Sequence, residues 1–99
     1  SEATALMRRL RASPPSRLAG FASTTTDLLQ RQGRYRTDAL VFTGGDADTS
    51  ARVVVRPSGT EPKVKCYIEV RAAVAEDLGG IRERAAALCN ALAPSVRHW

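Results

Sequence analysis

Apolar residues along this chain follow a helical rhythm near each end and a strand rhythm between. Ala3, Leu6, Met7 and Leu10 recur at i, i+3, i+4 and i+7, the stripe of a short amphipathic helix. Ser13-Pro14-Pro15 ends that helix, because proline disfavours helix in the residue before it. Phe21 to Asp27, rich in Ser and Thr, predicts a half-exposed strand. Arg31 to Arg36 is a polar, basic connection containing Gly33. Ala39 to Thr43 is a compact apolar run and predicts a second strand. The glycines and aspartates of Gly44-Gly45-Asp46-Ala47-Asp48 predict a turn.

The clearest patterning follows. Ala51 to Arg56 holds Val53-Val54-Val55, the signature of a buried strand. Pro57 and Pro62 bracket Ser58-Gly59-Thr60-Glu61, which must be a loop. Lys63 to Arg71 then alternates, with Val64, Cys66, Ile68 and Val70 on one face and Lys63, Lys65, Tyr67, Glu69 and Arg71 on the other. Val74, Leu78, Ile81, Ala85, Leu88 and Leu92 step by four and three, the stripe of a closing helix that Pro94 stops. Gly79-Gly80 would cost about 1 kcal/mol each in a helix interior, so the helix is expected to start near Glu76 or Asp77. The elements sum to an α+β fold: an antiparallel sheet of about four strands with two helices packed on one face, in one domain over residues 1–99.

Composition narrows the function classes. The 99 residues are 43% hydrophobic and 25% charged, ordinary for a globular domain. No apolar run approaches the roughly 20 residues of a membrane span. Ser1-Glu2-Ala3-Thr4 lacks the charged and apolar regions of a signal peptide, so the expected location is cytoplasmic. The net charge of +5 favours an anionic partner. Its arginines are scattered, as on a solvated surface, and aromatics are only 5%, without the spacing of an RNA-binding sheet. A basic nucleic-acid-binding or interaction module is the alternative reading, and no specific nucleic acid is expected. Cys66 and Cys89 both fall on inward positions, and a reducing compartment favours two thiols. Asp46-Ala47-Asp48 imitates a metal loop, but a calcium loop needs glycine where Ala51 stands and glutamate where Pro57 stands. No metal is expected in the chain.

The bracketed loop carries the candidate chemistry. Arg56 ends a strand and offers a planar fork of donors suited to two phosphate oxygens. Ser58 and Thr60 bring hydroxyls, and Gly59 allows an anion to approach the backbone. The amides of Ser58, Gly59 and Thr60 are expected to converge as an anion nest. Lys63 adds a point charge beyond the second proline. Glu61 opposes an anion and is expected to turn away, pairing with Lys63 or Arg56.

Arg56-Pro57-Ser58-Gly59-Thr60-Glu61-Pro62-Lys63, followed by Val-Lys-Cys-Tyr-Ile-Glu-Val, closely resembles the phosphate-binding signature in the last domain of α-D-phosphohexomutases. The variants at Pro57 and Lys63 look most like the phosphomannomutase, phosphoglucomutase and phosphopentomutase subgroup. The resemblance implies an arrangement like that of the TATA-binding protein, within a longer four-domain enzyme. It implies that Arg56, Ser58, Gly59 and Thr60, with Lys63 beside them, hold the phosphate that is not being transferred. The family interconverts 1-phospho and 6-phospho sugars through a sugar 1,6-bisphosphate, using a phosphoserine and a Mg2+ ion held by other domains. The implied partners are the phosphosugar and those other domains. The serine loop Thr-x-Ser-His-Asn-Pro, the metal loop Asp-x-Asp-x-Asp-Arg and the sugar-selecting Gly-Glu-x-Ser-Gly-His loop are absent from this sequence. The chain alone is therefore expected to hold no catalytic residue and to be inactive as a mutase.

Overall fold

The computed structural model describes residues 2–30, 32–33, 36–58, 63–92 and 97–98. Helix α1 (Glu2–Ala12) turns its Ala3, Leu6, Met7 and Leu10 stripe inward, all of them buried. Two short strands follow, β1 (Arg17–Leu18) and β2 (Phe21–Ala22), which pair antiparallel. Then come β3 (Thr24–Asp27), β4 (Leu40–Gly45), β5 (Thr49–Pro57), β6 (Val64–Ala72), helix α2 (Leu78–Leu92) and β7 (Arg97–His98). The main sheet has the order β3-β4-β5-β6-β7, antiparallel through its first four strands, with β7 added parallel to β6. The α+β reading with two helices on one sheet face stands, enlarged by the small hairpin and the fifth strand.

The alternating pattern explains the layering. Leu40 and Phe42 on β4, Ala51, Val53 and Val55 on β5, and Val64, Cys66 and Ile68 on β6 form the inner face. The α1 stripe and Ile81, Ala85 and Cys89 of α2 pack on it as one cluster. Phe42, Leu40, Val53 and Cys66 are completely buried. Removing a large side chain there, as in Phe42→Ala, costs roughly 3–5 kcal/mol.

Three expectations are corrected. The predicted strand from Phe21 to Asp27 is divided at Ser23. Ala19 (φ 52°) and Gly20 (φ 89°) form a left-handed two-residue turn that folds Phe21 and Ala22 back on Arg17 and Leu18. Val74 does not belong to the buried stripe of the closing helix, being 53% exposed. A 3-10 turn at Ala75–Asp77 intervenes and shifts the phase before α2 begins. Arg97 and His98 form β7, which pairs parallel to β6. Finally, Cys66 and Cys89 are joined as a disulfide. Strand alternation points Cys66 inward, helix phase brings Cys89 over it, and a Cα–Cα separation of 6.8 Å is within bonding reach. An argument from compartment alone is blind to that juxtaposition.

The turn between β4 and β5 comes later than expected, because β4 continues through both glycines. Gly45 adopts φ 155°, and a Cβ there would meet the Thr49 carbonyl oxygen at 2.2 Å, so only glycine fits. Asp46 then caps the turn, its Oδ1 accepting the N–H groups of Asp48 (2.9 Å) and Thr49 (2.9 Å).

One ion cluster fastens α1 to the sheet edge. Arg11 Nε donates to Asp27 Oδ2 at 3.0 Å, and Arg11 Nη2 donates to Asp38 Oδ1. Asp27 Oδ1 also accepts the Leu29 N–H at 3.0 Å. Burial would push the Asp27 carboxyl up, but the Arg11 hydrogen bond, the Leu29 N–H and the Arg11 charge outweigh it and hold the group below its ordinary value. Burial would likewise lower the Arg11 guanidinium, and its bonds and charge attraction to Asp38 and Asp27 raise it instead.

Candidate functional site

The loop emerges between β5 and β6, whose pairing is continuous from Thr49↔Ala72 to Pro57↔Val64. Both strands are nine residues long, and Pro57 is the last residue of β5. The chain thus meets the loop on a rigid two-stranded stem. Ser58 N–H donates to the Lys63 carbonyl oxygen at 2.7 Å, closing the loop one step beyond the last register pair. The sheet alternation directs Val55 inward and leaves Arg56 exposed on the opposite, helix-free face. Ser58 is half-buried and Lys63 exposed.

Of the expected site residues, Arg56, Ser58 and Lys63 are therefore gathered at one end of the sheet. Gly59 and Thr60 lie outside the described residues, as do Glu61 and Pro62, so the expected turning-away of Glu61 falls outside them too. The expected nest of three amides is corrected in one respect. The Ser58 N–H is engaged by the Lys63 carbonyl oxygen and serves as the clasp of the loop, so it is not part of such a nest. Among the described residues, Arg56 and Lys63 form no ion pair with a carboxylate.

Register also reveals a residue that the motif reading passed over. Lys65 stands directly across from Arg56, on the same outer face by alternation and half-buried. The signal was present in the sequence, since Lys65 shares the phase of Lys63 and Tyr67. Assigning it to Arg56, however, required the loop length to be closed in space. Further along the same face, Arg52 and Glu69 are also cross-strand partners and form an ion pair at 3.6 Å. They line a shallow hollow with Thr24, Thr43, Ser50 and Arg71, at the opposite end of the sheet from the loop.

No helix among the described residues is long and apolar enough to cross a membrane. Asp46 and Asp48, the imitation of a metal loop, have the Asp46 carboxylate engaged by two backbone N–H groups of the turn.

Comparison with known proteins follows the same segment. Residues 22–88 match the family model described as phosphoglucomutase/phosphomannomutase, C-terminal domain. The chain is also similar to a probable phosphomannomutase of Haemophilus influenzae (strain ATCC 51907 / DSM 11121 / KW20 / Rd). The two are 38% identical over 72 residues, which is 72% of this chain and 14% of that protein. The chain thus spans a small fraction of the length of the curated relative it matches. No solved structure matches significantly.

Proposed function

Because the chain belongs to the C-terminal domain family of phosphoglucomutases and phosphomannomutases, we propose that its β5–β6 loop grips the phosphate of a phosphosugar within a longer mutase. The grip acts on the phosphate remote from the reacting one while the enzyme interconverts 1-phospho and 6-phospho hexoses through a sugar 1,6-bisphosphate. The observation that carries this reading is an exposed Arg56, with no carboxylate ion-pair partner among the described residues, at the mouth of a loop clasped by Ser58 and Lys63.

The chemistry follows from the groups. The Arg56 fork gives two parallel, charge-assisted hydrogen bonds to phosphate oxygens, stronger and more directional than neutral ones. Ser58 and Thr60 add hydroxyls, Gly59 admits the anion to the backbone, and Lys63 adds charge. None of these groups breaks a bond in the sugar phosphate. They fix one end of the substrate so that the other end meets the reacting group at the right distance, which is worth orders of magnitude in rate. A grip that recognises only phosphate also serves both orientations of a bisphosphorylated sugar. The residues of this chain do not fit the Mg2+ that the family implies, since its metal loop is absent and Asp46 holds a turn. No step is assigned to a metal here, and this chain alone is read as inactive.

The test is an NMR titration of the 99-residue chain with glucose 1,6-bisphosphate. Saturable shifts confined to residues 56–63 are expected. Shifts spread over the scattered arginines, or no shifts at all, would refute a preformed grip.

A further inference from the structure

The two helices are fastened to the sheet in different ways. Helix α1 buries Leu6, Met7 and Leu10, large side chains spread along its length. In α2, Ile81 is the only buried branched side chain among the described residues. Ala85 and Cys89 carry the stripe onward, with Leu88 only half-buried beside them. Ile81 sits at the end of the sheet away from the loop, where it lines a small hollow with Phe21 and Thr49. Cys89 sits at the loop end, bonded to Cys66 near the start of β6. Small side chains remove little apolar area from water, so the covalent bond, more than packing, holds this half of α2 against the sheet.

We propose that the Cys66–Cys89 disulfide is a redox latch on the phosphate grip. Closed, it holds the loop end of α2 on β6; opened by a dithiol reductant, it releases that part of the helix and loosens the stem that presents Arg56. This rests on the reading of the loop as a phosphate grip. Cys66 is the register partner of Val55, so the bond lies beneath the strand row next to Arg56 and Lys65. Cys66 and Cys89 are 0% and 1% exposed, and exchange therefore waits on a local opening. Cys89 lies in the last turn of α2, and helix ends open at lower free energy than core strands. In the opening step a thiolate of the reductant attacks one sulfur, and the other leaves and takes up a proton. The second thiol of the reductant then resolves the mixed disulfide. The protein gains two electrons and two protons, and the reductant closes to its own disulfide.

The experiment compares the 99-residue chain in its oxidised form and after dithiothreitol at about pH 8, where thiols are partly ionised. Alkylation followed by mass measurement counts the thiols. Amide hydrogen exchange is read residue by residue, and glucose 1,6-bisphosphate is titrated by NMR in both forms. Reduction is expected to speed exchange over residues 85–91 about tenfold or more, leave α1 and β4 nearly unchanged, and weaken the bisphosphate roughly three- to fivefold, with reoxidation reversing all of it. Cys89→Ala, which cannot close the latch, is expected to behave as the reduced form with or without dithiothreitol, with thermal melts to confirm folding. Thiols alkylated without reductant, or exchange quickened equally across α1 and β4, would overturn the latch. If the bisphosphate binds both forms saturably and equally, the grip stands and the latch is overturned. If it binds neither form, the grip itself is refuted, and control over it falls whatever α2 does.

Discussion

Arg11 and Arg56 are the same residue type set in opposite circumstances. Arg11 lies half-buried at the sheet edge between Asp27 and Asp38, with its donors directed at carboxylates. Arg56 lies exposed at a strand end, faces Lys65 and has no carboxylate partner among the described residues. The first arrangement is electrostatically complete within the fold and stabilises it. The second is not closed by a carboxylate among the described residues and leaves the guanidinium exposed. Charge counting treats the two alike, and only their surroundings in the fold separate an arginine held by carboxylates from one left exposed.

Variants can break this contrast at either residue. The largest effect is expected at Arg56. In a longer mutase carrying this domain, as proposed above, Arg56→Ala should lower kcat/KM by about 100-fold through lost positioning, while the melting temperature of the domain stays nearly unchanged. Wild-type kinetics in that variant would abolish the distinction. Arg11→Met should do the reverse, destabilising the fold by about 1–2 kcal/mol in chemical denaturation because two carboxylates lose their donor, with phosphate affinity unaltered. An intermediate effect belongs to pH. Asp27 is held below its ordinary value, so its stabilisation is complete above the unfolded carboxylate pKa of about 3.9 and is lost as pH falls through the lower folded value. Acid denaturation curves of wild type and Asp27→Asn should therefore converge as the pH drops below about 4. The smallest effect is expected for Asp38→Ala. With Asp38 47% exposed, its loss should cost less than about 1 kcal/mol.

The strand pair, the loop between its prolines and both helices were legible because alternation and helical phase are properties of neighbouring residues. Val64, Cys66 and Ile68 could be assigned to the inner face from spacing alone, and they are buried. Features that depend on distant residues were not legible. The Ala19-Gly20 turn lacks the usual Asn-Gly signal, so the hairpin before β3 merged with it. Two residues of β7 carry no periodicity, and their strand exists only because β6 offers an edge. The candidate site was legible as a motif, and its clasp and the Arg56–Lys65 register pairing were not, because both require the register of β5 on β6.

The link between Cys66 and Cys89 acts on the chain before it folds. It closes a ring over a sequence separation of 23 residues, running from the middle of β6 to the last turns of α2. An open chain explores many arrangements of that segment, and a closed one far fewer. In the chain-entropy picture the restriction raises the free energy of the unfolded ensemble by about 3 kcal/mol and leaves the native contacts as they were. Cys66 is also the register neighbour of Val55, one residue from Arg56. The firmness of the strand pair that carries the loop therefore depends in part on the oxidation state of sulfur atoms on the inner face of the same sheet.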